Sequence, residues 1–490
     1  MSTPTATAPR TGLWSIVGFL VCVELASGIL QGYYTPIFTD IARHLSIRDA
    51  SVNWFEAAQL VVSALVVPLL ARLGDLVGHR AVLLLSTVVT AVASWAVAFS
   101  PSFTTFLVAW ALQGFYVVWL PLEVSIIHRR TAGTGQQSAL TRRAAAFLVA
   151  ALELGVIVGA VTSGALVDAG VASMTTVLIV PAIAVTLCFA VVWFGIAPTP
   201  PVGQGRLDVA GFGLVTVAIL LVMGGLIVVR LQGPGSLLAW ALVLLGALAF
   251  VPFARFEMRT HEPLVDVRLL LSPRQWPVQL TAFLFGMSVL GAQIPLSTFA
   301  RTDPAVAGYG LGASAGFVST LIGVYVVALV AGALLLPVVA RFIGTRSTML
   351  GATLLVALGY ALFLPFHGST TQALLNMTVA GIGSGALVAA LPAAAAAAAP
   401  ADRTGFVTGM TNTTKTIGGA IASSIFAIAL ASTGSIEDPS AGHAPLSGYL
   451  TVWTVCAVTA LVAAVSLLVV PKHAFSDRPD KMEAQPAPRG

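Results

Sequence analysis

The chain has 490 residues, of which 57% are hydrophobic and only 9% are charged, and its mean hydropathy is +0.95. A soluble domain carries roughly 25% charged residues, so this sequence lacks the polar side chains needed to cover a folded surface in water. The formal net charge of +5 does not indicate a nucleic-acid partner, because almost all basic residues lie between apolar runs. The composition predicts a protein whose solvent is mainly lipid.

Apolar runs long enough to cross a bilayer recur along the whole chain. A helix needs about 20 apolar residues to cross ~30 Å of hydrocarbon, and a backbone in lipid must satisfy its polar groups internally. We therefore predict an all-α integral membrane protein with about fourteen transmembrane helices. They fall at residues 13–33, 52–71, 81–99, 103–125, 144–167, 173–196, 208–229, 236–254, 276–298, 313–338, 347–366, 371–396, 405–431 and 447–470.

The basic residues orient these helices. An even number of spans places both termini on one side, and nineteen of the 24 Lys and Arg residues fall on that side. Cytoplasmic loops carry an excess of Lys and Arg, so both termini are predicted to be cytoplasmic. The short polar N-terminus is typical of a retained first span. Because the composition is rich in alanine and arginine, we expect a bacterial inner-membrane protein.

Two longer connections divide the predicted helices. The Pro/Gly-rich segment IAPTPPVGQGR (196–206) follows the sixth helix, and a charged segment (255–275) follows the eighth. They predict two six-helix bundles with two extra central helices, and ARLGDLVGHR (71–80) has a shortened counterpart in ARFIGTR (340–346). The predicted units are an N-terminal bundle (1–200), a two-helix insertion (201–256), a C-terminal bundle (257–470) and a disordered cytoplasmic tail (471–490).

The positions of the histidines and cysteines argue against metal or redox chemistry. All seven histidines fall in loops or at helix ends, and the three cysteines lie singly inside apolar runs. This pattern excludes the usual ligands of an intramembrane metalloprotease or haem protein, and no Gly-rich loop followed by lysine is present to hold a nucleotide. We therefore expect no metal, no cofactor and no enzymatic activity.

A few ionisable side chains fall inside predicted helices, where they are unfavourable unless they face a polar interior. Glu24 lies midway along the first helix, with Ser27 and Gln31 following at helical spacing. Lys415 lies within the thirteenth helix and needs a carboxylate or an anionic substrate; Glu24 and Glu153 are the candidate partners. A hydrogen bond to a neighbouring helix is the alternative role for Glu24.

Three other carboxylates have competing structural roles. Glu153 shares a face of the fifth helix with small residues, so helix packing accounts for it as well as transport does. Glu123 lies near the cytoplasmic end of the fourth helix, where it can reach the interface or pair with arginine. Glu56 lies about one turn inside the outer end of the second helix. Glu56 and Glu123 are therefore weaker candidates.

Sequence motifs add a family resemblance. ARLGDLVGHR resembles the signature G-x-L-a-D-r-x-G-r-R/K of the major facilitator superfamily and lies between the second and third helices, as in that family. WALQGFYVVWLP is similar to the family's R-x-x-Q-G…P segment, and GVIVGAVTSG (155–164) to its antiporter motif. HEPLVDVRLL (261–270) and TNTTKTIGGAIA (411–422) resemble the fourteen-span drug:proton antiporter branch. Signature matches are at Leu73, Asp75, Gly78 and Arg80.

The resemblance implies a monomeric transporter that works by alternating access and exports lipophilic, cationic or neutral drug-like compounds in exchange for protons. Asp75, Gly78 and Arg80 are then expected to latch one conformation. Trp110 stands where the family has an arginine, so the family's usual proton route does not carry over. Glu24 is instead predicted to be the protonatable carboxylate. The predicted proton-coupling and cavity residues are Glu24, Glu153, Lys415, Gln31, Trp110, Gln113 and Asn412.

Two other functions fit the sequence. One is a substrate-specific metabolite exporter or a facilitator that is not driven by protons, since Trp110 breaks the family's pattern. The more distant one is a membrane-embedded enzyme or sensor, which the absence of intramembrane histidine disfavours. The expected partners are a small-molecule substrate, protons and the lipid bilayer.

Overall fold

The computed structural model describes residues 17–131, 137–170, 173–201, 207–399, 404–431 and 444–469. Within these ranges all regular structure is helical. The tail predicted to be disordered (471–490) lies outside the described residues, and so does the end of the Pro/Gly-rich segment (202–206). The first predicted helix is described only from residue 17 onward.

The described residues before the Pro/Gly-rich segment form eight α-helices. Short 3₁₀ turns at Thr35–Ile37, Asp49–Val52 and Gly114–Val118 separate some of them. The helices are α1 (Leu20–Tyr33), α2 (Phe38–His44), α3 (Asn53–Val77), α4 (His79–Ala98), α5 (Phe103–Gln113), α6 (Trp119–Arg130), α7 (Gln137–Asp168) and α8 (Met174–Gly195).

The later described residues begin with a helix pair and continue with longer helices, one of which is interrupted by a 3₁₀ turn at Leu290–Ala292. The helices are α9 (Val209–Gln232), α10 (Leu237–Glu257), α11 (Val267–Leu270), α12 (Trp276–Val289), α13 (Gln293–Arg301), α14 (Pro304–Ala307), α15 (Ala315–Ile343), α16 (Thr345–Leu362), α17 (Thr370–Ala397), α18 (Thr404–Ala429) and α19 (Leu446–Val469).

Eleven helices among the described residues are long and apolar enough to cross a membrane. Helices α1, α16 and α18 occupy the other three predicted positions. The described part of α1 has only 14 residues, and α18 carries Lys415 together with several threonines. The prediction of an all-helical, multi-pass membrane protein is therefore confirmed, whereas the count of fourteen spans stays a prediction.

Buried apolar side chains form two large clusters. One is built almost entirely from α1–α8 and includes Trp119 and Phe106; the other is built almost entirely from α12–α19 and includes Trp453 and Phe426. A smaller cluster joins α9 to α3 and α18. Large apolar side chains on α10, such as Leu237, are exposed, as expected for a helix pair at the periphery that faces lipid.

Glycines bring α1 and α7 into backbone contact. A Cβ added to Gly28 of α1 would lie 1.9 Å from the carbonyl oxygen of Leu152 in α7. A Cβ on Gly155 of α7 would lie 2.3 Å from the carbonyl oxygen of Leu25 in α1. Small residues permit this approach, so the glycine motif at 155–164 packs α7 directly against α1.

Similar contacts recur in the second half of the chain. Gly286 of α12 faces the carbonyl of Lys415 in α18, which repeats the pairing of the first and fifth predicted helices. Gly385 of α17 faces the carbonyl of Leu329 in α15, and Gly114 faces α3, so the second and fourth helices also pair in both halves. This repetition supports the two-bundle arrangement that we propose below.

Candidate functional site

A cavity of about 320 Å³ lies between the helices that precede the α9–α10 pair and the helices that follow it. Its walls come from α1, α3, α5 and α7 on one side and from α12, α13, α15, α17 and α18 on the other. The lining combines apolar and aromatic side chains with hydroxyls and three charged groups, Glu56, Glu153 and Lys415. The lining also includes the amide side chains of Gln31, Gln59, Gln293 and Asn412.

Two side chains of opposite charge face this cavity. Glu153 of α7 and Lys415 of α18 both line it and lie close enough for their charges to interact. Lys415 is held there because α12 packs against its own backbone carbonyl through Gly286. Of the two partners predicted for Lys415, Glu153 is the one whose charge acts on Lys415. The two charges belong to parts of the chain on either side of the α9–α10 pair.

Glu24 does not lie in the cavity, which corrects the prediction made from its spacing to Ser27 and Gln31. Ser27 and Gln31 do line the cavity, but Glu24 is 0% exposed, because α6 packs across α1 near this level. Its carboxyl group lies instead against that of Glu123, which is also 0% exposed. Glu123 therefore does not reach the membrane interface.

Trp110 lies in an aromatic wall of the cavity. Its ring centroid is 4.4 Å from that of Tyr34, edge to face, and 5.7 Å from that of Phe106, stacked. Its buried indole N–H has no hydrogen-bond partner among the described residues. Gln113 lies behind this wall and not in the lining. It donates hydrogen bonds of 3.0 Å to the hydroxyls of Tyr34 and Ser94 and so fixes the Tyr34 ring.

The sequence analysis missed several polar residues of the lining, Gln59, Tyr116, Gln293 and Tyr325. Gln59 follows Glu56 by three residues on α3, so helical spacing could have identified it. Gln293 begins α13 directly after the 3₁₀ turn at Leu290–Ala292. Tyr116 lies in the turn between α5 and α6. No local sequence signal predicted either turn.

Asp75 and Arg80, which were predicted to help latch one conformation, do not bond each other in this structure. Asp75 lies 3.4 Å from His79 Nε2, whereas the Arg80 guanidinium donates to the Trp193 carbonyl at 2.7 Å. Gly78 adopts φ +101°, and a Cβ there would lie 2.3 Å from the Thr199 carbonyl oxygen. The motif therefore fastens the α3–α4 turn to the segment that follows α8.

One end of the cavity lies between α2 and α13, away from the α3–α4 turn, and we call it the α2–α13 end. Contacts between the helices before the α9–α10 pair and those after it close this end. Arg301 of α13 bonds Asp40 of α2. Asp168 at the end of α7 accepts bonds of 3.1 and 2.8 Å from the first two backbone N–H groups of α15. Ser297 donates to the Thr35 carbonyl at 2.5 Å.

Comparison with known proteins gives a family and a group of relatives. A family model of the Major Facilitator Superfamily matches residues 20–304 and 280–489. The uridine/deoxyuridine transporter of Lactococcus lactis subsp. cremoris is 26% identical over 396 residues, which cover 75% of this chain and 80% of that protein.

Solved structures have the same fold. An auto-inhibited peptide transporter of the POT family matches with a TM-score of 0.67 and 14% identity, covering 95% of this chain and 98% of its own. The nucleoside transporter NupG matches with a TM-score of 0.61 and 13% identity, covering 93% and 98%. The family match covers most of the sequence and confirms what the signature motif predicted. The chain belongs to the Major Facilitator Superfamily, and it is a secondary transporter of that type.

Proposed function

We propose that this transporter is specific for a nucleoside and moves it by alternating access between two six-helix bundles, at 1–200 and 257–470. The observation that carries the proposal is the cavity itself, whose walls come from both parts of the chain and whose α2–α13 end is closed by contacts between them. Breaking those contacts and forming others at the opposite end would expose the same cavity alternately.

The chemistry of the lining suits an uncharged solute with many polar atoms. Neutral amides and hydroxyls outnumber the three charged groups, and Glu153 and Lys415 offset each other. An amide side chain both donates and accepts hydrogen bonds, as the edge of a pyrimidine base requires. Aromatic side chains provide surfaces on which a base can stack, and Trp110 with Tyr34 supplies them. The relative that transports uridine and deoxyuridine agrees with this substrate class.

This proposal replaces the drug-exporter interpretation of the sequence motifs. The comparisons give no support to the drug:proton antiporter branch, to multidrug efflux or to antibiotic resistance, and the curated relative acts on nucleosides. The alternative drawn from the sequence, a substrate-specific metabolite transporter, fits the findings better. Its location in a bacterial inner membrane with cytoplasmic termini remains our proposal, supported by the distribution of Lys and Arg.

Uptake into proteoliposomes tests the proposed substrate. We expect saturable uptake of radiolabelled uridine that excess deoxyuridine competes and that ethidium, a lipophilic cation, does not. Gln31→Ala removes an amide from the cavity and should weaken uridine uptake. Gln232→Ala removes an exposed amide at the end of α9 and serves as the matched control. Transport of ethidium without any transport of uridine would overturn the proposal.

A further inference from the structure

Two buried carboxyl groups meet beside the cavity, between α1 and α6. Glu24 and Glu123 are both 0% exposed, and their carboxyl groups lie within hydrogen-bonding contact of each other. With both groups ionised, none of the four carboxylate oxygens has a hydrogen-bond donor among the described residues. Apolar side chains, including Leu20, Val23 and Trp119, belong to the surrounding buried cluster.

Two ionised carboxylates in this setting are unstable. They repel each other, and each oxygen has lost its water without gaining a hydrogen bond. One proton removes one of the two charges and supplies the missing donor, because a protonated carboxyl donates its O–H to the other carboxylate. Carboxyl pairs that share a proton form where like charges lie about 3 Å apart.

We propose that Glu24 and Glu123 hold one proton between them and that this pair is the proton-binding site that couples transport. The site is separate from the substrate cavity, since neither residue lines it. The inference rests on the proposed function only for its coupling role. The shared proton itself follows from the contact between the carboxyl groups and from their burial.

Neighbouring groups connect the pair electrostatically to the cavity on one side and to the end of α6 on the other. Tyr116, which lines the cavity, lies within electrostatic range of both Glu24 and Glu56. On the other side, the charge of Arg130 at the end of α6 acts on Glu123. The thiol of Cys188 lies within electrostatic range of both carboxyl groups and of the Cys22 thiol. Tyr116 is therefore a residue of the cavity lining on which the charge of the pair acts.

Infrared spectroscopy of the full-length protein tests the shared proton directly. At neutral pH, the wild-type protein should show the C=O band of a protonated carboxyl group. Other carboxyl groups, such as Glu56 and Glu153, can add C=O bands of their own, so the readout is the difference spectrum between wild type and variant. Either Glu24→Gln or Glu123→Gln should remove the component that belongs to the pair, because the new amide N–H₂ supplies the donor that the remaining carboxylate needs. Glu262→Gln, which changes a half-exposed carboxylate paired with Arg72, should leave it unchanged. A band of undiminished intensity in both Gln variants of the pair would overturn the proposal.

Transport assays separate coupling from solute binding. In proteoliposomes, Glu24→Gln and Glu123→Gln should lose the accumulation of uridine that a proton gradient drives, while uridine counterflow, which needs no gradient, should continue. Gradient-driven accumulation at the wild-type level in both variants would overturn the coupling role. Absence of uridine counterflow in the wild-type protein would overturn the proposed substrate, and the infrared band would still decide whether the pair holds a proton.

Discussion

Arg301 of α13 bonds both carboxylate oxygens of Asp40 in α2 through one terminal nitrogen, at 2.9 and 3.0 Å. Only 11% of the Arg301 side chain and 13% of the Asp40 side chain are exposed. Hydrogen bonds between charged groups are roughly twice as strong as neutral ones, and burial limits their screening by salt. This contact is a buried charged link between the two parts of the chain at the α2–α13 end.

Removing that contact should open the α2–α13 end. We expect Arg301→Ala to destabilise the closed conformation by about 1–3 kcal/mol, which is roughly a 5- to 150-fold change in its population. The measurement is labelling of Gln293→Cys by a membrane-impermeant thiol reagent, in a Cys22→Ser background. Arg43→Ala is the control, because Arg43 contacts the same Asp40 at 3.4 Å but its side chain is 65% exposed. Equal labelling in all three proteins would contradict the prediction.

Removing the charge of either Glu153 or Lys415 alone should lower the stability of the protein more than removing both charges. A single partner left in the cavity wall is an uncompensated charge, so Glu153→Gln or Lys415→Gln should each lower stability by about 1–3 kcal/mol. The double variant should recover part of that loss. Thermal unfolding in detergent measures both effects, with the exposed Arg72–Glu262 pair as control. Additive losses in the double variant would show that the two charges do not interact.

Close packing of α1 against α7 predicts a steep penalty for any side chain at Gly28. Gly28→Ala should destabilise the protein by about 1–3 kcal/mol, because its Cβ would overlap the Leu152 carbonyl oxygen. The control is Gly224→Ala in α9, where nothing lies within 4 Å of the added Cβ. There the better helix propensity of alanine should give up to about 1 kcal/mol of stabilisation. Similar melting temperatures for the two variants would argue against the backbone contact.

Trp110 should determine affinity for the solute through its ring. If a base stacks on this wall, Trp110→Ala should weaken uridine binding by about 1–3 kcal/mol, or roughly 5- to 150-fold, and Trp110→Phe should retain most of it. Trp240→Ala provides the control, since Trp240 is exposed on α10 and lies outside the cavity lining. Uridine dissociation constants measured on the purified proteins decide the matter, and unaltered affinity in Trp110→Ala would exclude stacking there.

Local sequence patterns predicted the positions of the helices well, but they predicted poorly which side chains line the cavity. Apolar runs of sufficient length coincide with helices at every predicted position in the described ranges, because a backbone in lipid has few other solutions. The need of Lys415 for a carboxylate was also apparent from its depth. Glu24 shares a helix face with Gln31, yet only Gln31 lines the cavity. The spacing of residues along a helix indicates the direction in which a side chain points. It does not indicate which neighbouring helix covers that side chain.

The residues that the sequence analysis ranked low show the same limit. Glu123 was expected to reach the membrane interface or to pair with arginine. It is buried against Glu24, and the charge of Arg130 acts on it. The 3₁₀ turn at Gly114–Val118 separates α5 from α6 and so sets the direction in which α6 continues. Asp40, Arg301 and Asp168 meet only through tertiary contacts between distant segments. Such contacts depend on how the helices are assembled, which a single sequence does not reveal.

The backbone contact between α1 and α7 constrains how a proton and a solute can be exchanged. At Gly28 and Gly155 the backbones of the two helices touch directly, with no side chain between them. Glu24 is carried by α1 together with Ser27 and Gln31, and Glu153 is carried by α7. Any movement that α1 and α7 make together shifts Glu24 against α6 and Glu153 in the cavity wall at the same time. Their contact therefore offers a mechanical link between the proposed proton site and the solute site.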